Sequence, residues 1–264
     1  MSFALKGVAY ITGAGSGIGQ FAAYSLARQG VRQFALLDRN PVSDTIQELK
    51  KNYKDVEIEE IQLDVADEKA VDDSVEQTVK KFGRIDYAFN NAGVGGAVKT
   101  TDQVEKEEFE RVLSVNMTGV WLCARAQIRQ MLKQEKLSDS YRAYRGSIVN
   151  MASMFGVIGP SANVPTTAYA TSKHAVIGMT KADAVALAPQ GIKINAICPG
   201  YVLTPMIGNN MAEGSMMYNE SLKVPLGRFA NMEEIADCVA FLHSEASSYM
   251  IGASMIADGG FTVQ

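Results

Sequence analysis

Tyr169 and Lys173 frame the stretch Tyr-Ala-Thr-Ser-Lys, and of the ten tyrosines only Tyr169 has a lysine four positions on. On a helix, residues four apart share a face. A free phenol titrates near about 10, too high for a good base at neutral pH. A neighbouring ammonium favours the phenolate and lowers that value. The pair therefore reads as a general acid–base that takes a proton from an alcohol or gives one to a ketone oxygen. An amphipathic surface pair has the same spacing, so the reading needs company. Ser153, in Asn-Met-Ala-Ser-Met-Phe-Gly, offers a hydroxyl to hold a substrate oxygen as an electrostatic stabiliser, although a turn serine would look the same. Nucleophilic hydrolysis would need a histidine. His174 directly follows the lysine and need not share its face, and His243 ends a C-terminal helical stretch.

A second constellation lies near the N-terminus. Thr12-Gly-Ala-Gly-Ser-Gly-Ile-Gly19 has a glycine at every second position from Gly13, yet contains no G-x-G-x-x-G in any frame. It lies between an apolar run and an amphipathic stretch. Glycines there allow positive φ and close backbone approach, and a helix N-terminus offers N–H groups to a pyrophosphate. Asp38 ends the next apolar run, about 20 residues on, where a carboxylate can bond both hydroxyls of a ribose. A 2′-phosphate would meet a like charge, which favours NAD over NADP. Arg39 is the dissenting residue, since its guanidinium could reach such a phosphate.

The elements that must position these residues follow from the apolar pattern. Strands are expected at 7–13, 33–38, 61–65, 85–93, 146–153, 193–200 and 252–260, with helices at 17–30, 103–135 and 167–189 between them. Apolar strands without strict alternation are buried on both faces, and strands alternating with helices imply βαβ units. The expectation is an α/β fold: one Rossmann-type doubly wound domain over 1–264, with about seven parallel strands flanked by helices. Segments 136–145, 154–166 and 201–228 look irregular, and such segments are often functional. The last carries Met206, Met211, Met216 and Met217 with Tyr218 and Leu222. It reads equally as a flexible lid over a bulky lipophilic substrate and as a helix burying its Met face.

These motifs, in this order, resemble the short-chain dehydrogenase/reductase family along nearly the whole chain. Thr12-Gly13-x-x-x-Gly17-x-Gly19 is similar to its glycine turn, Asn90–Gly93 to its N-N-A-G motif and Asp64 to its adenine-contacting acid. "SVNMTGVW" carries its helix asparagine, and 199–206 its P-G segment. The resemblance implies hydride transfer, with Asn116, Ser153, Tyr169 and Lys173 as catalytic residues. Asn116 would hold a water linking Lys173 to solvent. It places an NAD cofactor, with NADP possible, against Gly13, Ser16, Gly17, Ile18, Gly19, Asp38, Arg39, Asp64 and Val65. The same cofactor would touch Asn90, Ala92, Gly93, Tyr169, Lys173, Pro199, Gly200, Val202 and Thr204. It also implies a homotetramer built through 103–135, 167–189 and the C-terminal strand. Ser153 to Tyr169 is 16 residues where the family more often has about 13, so 154–166 should reshape one wall of the substrate cleft.

Composition limits the alternatives. Net charge is −4, so no electrostatic footprint for nucleic acid is present. No apolar run of about 18 residues suggests a membrane span, and the first ten residues do not read as a signal peptide. Three scattered cysteines and two histidines predict a reduced, cytoplasmic chain without a metal site. The expected partner is a small alcohol or ketone. Beside an NAD-dependent dehydrogenase stand an NADPH-dependent biosynthetic reductase and a nucleotide-sensing protein without turnover.

Overall fold

The computed structural model describes residues 3–207 and 212–264. Seven parallel strands form one sheet in the order β3-β2-β1-β4-β5-β6-β7. They are β1 (Val8–Thr12), β2 (Gln33–Asp38), β3 (Glu57–Gln62), β4 (Tyr87–Asn90), β5 (Gly146–Met151), β6 (Ile192–Pro199) and β7 (Ser254–Ala257). Helices α1 (Gly17–Arg28), α2 (Ser43–Asn52) and α8 (Met232–His243) cover one face. On the other lie α3 (Glu68–Phe82), α5 (Val120–Met131) and α6 (Thr167–Leu187). Every residue of β1, β4, β5 and β6 is buried, as strands covered by helices on both faces are.

The structure differs from the sequence reading at two elements. The third strand is Glu57–Gln62, not 61–65. It is a sheet edge, and its sequence EIEEIQ keeps charge on the solvent side while Leu63 and Val65 pack beyond its end. Charged edge strands avoid further pairing, but they do not register as apolar runs. The helix expected over 103–135 is divided into α4 (Lys106–Leu113), a π-helical stretch (Ser114–Gly119) and α5. Segment 201–228 contains the short α7 (Met216–Ser221).

His243 is packed at the opposite end of the sheet from the glycine turn. It is 3 % exposed, its Nδ1 lies 3.1 Å from Ser147 Oγ, and burial beside Lys193 pushes its pKa down to about 3. The native state therefore keeps this imidazole neutral while the unfolded chain protonates it near about 6.5. The unfolded state binds more protons between those values, so stability falls as pH drops through that window. The urea midpoint of the wild type should fall more steeply from pH 6 to pH 4 than that of His243→Gln. Equal slopes would remove His243 from the acid limb.

Candidate active site

The chain builds β1, β2 and β3 outward, then returns to lay β4 against the free edge of β1. The sheet order reverses there, and ligands of such sheets bind at the strand ends of the reversal. Thr12 pairs with Asn90 in register, and its Oγ1 accepts the N–H groups of Asn91 and Ala92 at 3.0 and 3.1 Å. The hydroxyl thus fastens the two strand ends that flank the crevice. A cavity of about 610 Å³ opens above them and runs from the glycine turn to α7.

Its first half is polar and backbone-lined. Gly13 and Gly17 have φ of +68° and +60°, which turns the chain between β1 and α1. Ser16 caps α1 without a side-chain hydrogen bond, and no acidic residue occupies the first helical turn. The first-turn N–H groups have no intrahelical partners, so the turn presents a partial positive charge to the cavity. Asp38 accepts from Gly15 N at 3.0 Å and from Asn40 N at 2.9 Å, which fixes its carboxylate at the end of β2. A Cβ on Gly15 would lie 3.1 Å from Asp38 Oδ2, so Gly15 is the seat of that carboxylate and not a spare small residue. Ser16, Ile18, Arg39, Asp64, Val65, Ala92 and Gly93 also line this half. These features fit a dinucleotide: N–H donors for its pyrophosphate, an acid for a ribose, and the apolar side chains of Leu37, Leu63 and Val65 beside them.

Ser153, Tyr169 and Lys173 meet beyond it, at the ends of β5 and the start of α6. The Lys173 ammonium is 2 % exposed, donates to Met151 O at 2.8 Å and lies 5.4 Å from the centre of the Tyr169 ring. Burial without a carboxylate partner pulls its pKa down to about 8. The sequence reading has this ammonium lowering the Tyr169 pKa. In the structure burial raises it instead, and the Ser153 hydroxyl is what opposes the rise. The ammonium lies over the ring and gives one of its three N–H groups to Met151 O. Ser153 itself caps a short 3-10 turn, accepting from Phe155 N at 3.2 Å.

Three expected site residues do not line the cavity. Asn90 is 0 % exposed, with its amide bonded to Gln127 and Asn150 inside the sheet. Side chains alternate along a strand, so its neighbour Asn91 faces the turn and donates to Thr12 O and Gly13 O. Gly19 is buried under Gly13. Asn116 sits in the π-helical stretch, paired with both Val94 N (2.8 Å) and Val94 O (2.9 Å) and reaching Ser172 Oγ at 3.3 Å. Its side chain braces the loop after β4. Pro199, Gly200, Val202 and Thr204 do line the cavity, and Asn40 and Asn91 are lining residues the sequence reading missed. The second asparagine could have been found from strand parity.

The far half is apolar: Val94, Val98, Met154, Phe155, Val164, Tyr201 and Ile207, with Met206, Met216 and Met217 at its rim. Among the described residues no charged side chain lines this half, and its hydroxyls belong to Thr166 and to Tyr201, whose OH donates to Glu220. Met211 lies outside the described residues. Segment 154–166 forms one wall, whereas no residue of 136–145 lines the cavity. Arg142 packs on Tyr141, Arg145 binds Gln134 O, and Arg228 pairs with Glu234. His174 is bonded to Ala170 O outside the cavity, so neither histidine approaches Ser153.

Comparison with known proteins finds relatives along nearly the whole chain. A family described as enoyl-(acyl carrier protein) reductase matches residues 13–262. The short-chain dehydrogenase anuF of Penicillium roqueforti is 37 % identical, over 100 % of this chain and 99 % of its own length. Cyclohexanol dehydrogenase of Acinetobacter sp. strain SE19 is 36 % identical over 97 % and 94 % of the two chains. The crystal structure of levodione reductase superposes with a TM-score of 0.88 at 33 % identity, covering 98 % of both chains.

Proposed function

The chain belongs to the short-chain dehydrogenase/reductase family, and from that membership we propose an NAD-linked enzyme for a bulky, uncharged secondary alcohol or ketone, with Tyr169 moving the proton. The general reaction is that of an NAD(P)-dependent oxidoreductase acting on CH–OH groups. The observation that carries the finer reading is one cavity lined by Ser153, Tyr169 and Lys173, by the glycine turn and Asp38, and by the apolar side chains of Val94, Phe155 and Met217.

When bound, the nicotinamide supplies the centre that accepts or donates hydride. The chain's own groups do the rest. Ser153 Oγ holds the substrate oxygen. Tyr169 as the phenolate removes the alcohol proton in oxidation, and as the neutral phenol gives one to the carbonyl oxygen in reduction. Lys173, fixed by Met151 O, places a positive charge against the phenol ring and would hold the nicotinamide ribose. Asn116 positions the loop carrying Val94 at the junction of the two halves. The apolar wall excludes water and offers no counter-charge, which favours ring-sized lipophilic substrates over acids or phosphates. Cyclohexanol and levodione, named for two relatives, suit that chemistry. A panel of cyclic and linear secondary alcohols and ketones, followed at the reduced-nicotinamide absorbance, tests the reading. Turnover confined to charged substrates would reject it.

Asp38 supports NAD. A unit charge about 4 Å from a 2′-phosphate costs roughly 1–4 kcal/mol depending on solvent exposure, and this carboxylate is only half-buried. NAD should bind the wild type about tenfold tighter than NADP, and Asp38→Ala should close that gap chiefly by improving NADP. Arg39 and Asn40 border the same place, so equal or tighter NADP binding to the wild type would favour the Arg39 reading.

Assembly as a homotetramer belongs to the same proposal. Trp121 on α5, Val185 on α6 and Ile256 on β7 leave apolar surface exposed on the elements the family commonly uses. Light scattering after size-exclusion chromatography should give four chains, and a monomer would reject it. The free cysteines suit a reducing cytoplasm. Among the described residues no helix is long and apolar enough to cross a membrane.

A further inference from the structure

Two carboxylates among the described residues are almost wholly buried, Asp86 at 1 % and Glu220 at 0 % exposure. Asp86 is accounted for by Arg84 and the Val8 N–H. Glu220 lies on α7, behind the apolar half of the cavity, and no step of the reaction uses it. Its Oε1 accepts from Ser161 Oγ at 3.0 Å and from the Lys223 ammonium, and its Oε2 accepts from Tyr201 OH at 3.0 Å.

Two of those partners come from other walls, and Lys223 is three residues on in Glu220's own segment. Ser161 belongs to the long segment 154–166, whose Phe155 and Val164 face the cavity. Tyr201 follows β6; its ring lines the cavity, stacks on Phe229 at 5.0 Å and meets Phe155 edge-on at 6.0 Å. The helix bearing Glu220 contributes Met216 and Met217. Burying a carboxylate costs several kcal/mol unless donors surround it. Lys223 stays with the helix, but the two hydroxyl donors are supplied by the other walls, so the carboxylate keeps its full set of donors only while all three stay in register. Hydrogen bonds to an ionised acceptor are roughly twice as strong as neutral ones.

We propose that Glu220 is a positioning residue that pins the 154–166 wall and Tyr201 to α7 and thereby sets the shape, and the selectivity, of the substrate half. The proposal rests on that half receiving the alcohol or ketone. Glu220 does not touch the reacting atoms, so its removal should act on KM and leave kcat and dinucleotide affinity nearly unchanged.

The test combines kinetics with amide exchange on the substrate-free protein, which reads the clasp whether or not the substrate class is right. Glu220→Ala should raise KM for a cyclic substrate about tenfold, the scale of a lost charge-assisted bond. It should also speed exchange in 157–166 and in 216–226 together. Glu220→Gln, which can still pair with both hydroxyls, should restore most of both effects. Ser161→Ala, a milder change should Glu220→Ala fail to fold, should speed exchange in α7 as well as in its own loop. Exchange confined to the mutated segment, a fall in kcat at unchanged KM, or no rescue by Gln would each overturn the proposal. Absence of turnover in the wild type would instead reject the substrate reading and leave the exchange result to decide the clasp.

Discussion

Tyr169→Phe should reduce turnover by about a thousandfold, within the range of about 10²–10⁴ typical of a lost general acid–base, while NAD(H) affinity stays within about threefold. The phenyl ring keeps its packing above the Lys173 ammonium and its place between the two halves of the cavity. Only the hydroxyl disappears, and with it the proton path to the substrate oxygen. Burial raises the phenol's pKa, so the residue stays in the protonated form that reduction of a ketone requires. In oxidation it needs help from the charges around it to give up its proton. The pH dependence of oxidation should therefore rise towards alkaline pH more steeply than that of reduction. Dinucleotide binding by fluorescence and steady-state turnover separate the two consequences. Full activity in the variant would move the proton elsewhere, and lost dinucleotide binding would make the change structural.

The largest structural effect is expected at Gly19→Ala. A Cβ there would lie 2.1 Å from Gly13 O and 2.5 Å from Asn91 Nδ2. The first is backbone and cannot swing away. Overpacking typically costs about 1–3 kcal/mol and more where backbone must move, so a loss of about 3 kcal/mol with collapse of dinucleotide affinity is expected. Gly17→Ala is the control. Its Cβ would meet nothing closer than 3.9 Å, but the residue has φ of +60° and lines the cavity. It should cost about 1–2 kcal/mol of left-handed backbone strain and weaken the dinucleotide by filling space. Thermal denaturation with and without NAD distinguishes the two. If Gly19→Ala melted like the wild type, the close approach of α1 to the β1 turn would not be what that glycine provides.

The central strands were legible because burial on both faces leaves mostly apolar runs, as in VAYIT of β1 and in Ile148 and Val149 of β5. The edge strand β3 was misplaced because half of its side chains face water. Ser153, Tyr169 and Lys173 were legible from residue type and order, and the structure brings them to one cavity wall. Their electrostatics were not. The fall of Lys173 to about 8 comes from burial by remote segments, and a lysine's spacing from a tyrosine carries no record of that. The glycines divided by function in a way sequence does not mark: Gly13 and Gly17 turn the chain, Gly15 seats Asp38, and Gly19 admits a helix. Glu220 was invisible for the opposite reason. A glutamate in a Met- and Gly-rich stretch reads as solvated, and only the folded walls around it reverse that.

The seam between β1 and β4 also bears on the order in which the molecule comes together. Its hydroxyl fastening joins Thr12 to Asn91 across 79 residues. β1, β2 and β3 can associate over short connections, but β4 must find the exposed flank of β1 after the whole intervening chain has been laid down. Closing so long a loop is entropically unfavourable before any contact rewards it, and parallel pairing of this kind is intrinsically slow. The dinucleotide seat is thus absent from early, locally ordered chains and arises in the step that closes the seam. A nucleotide that recognises the finished crevice holds that step shut, lowering the rate at which the two halves of the sheet part without hastening their meeting.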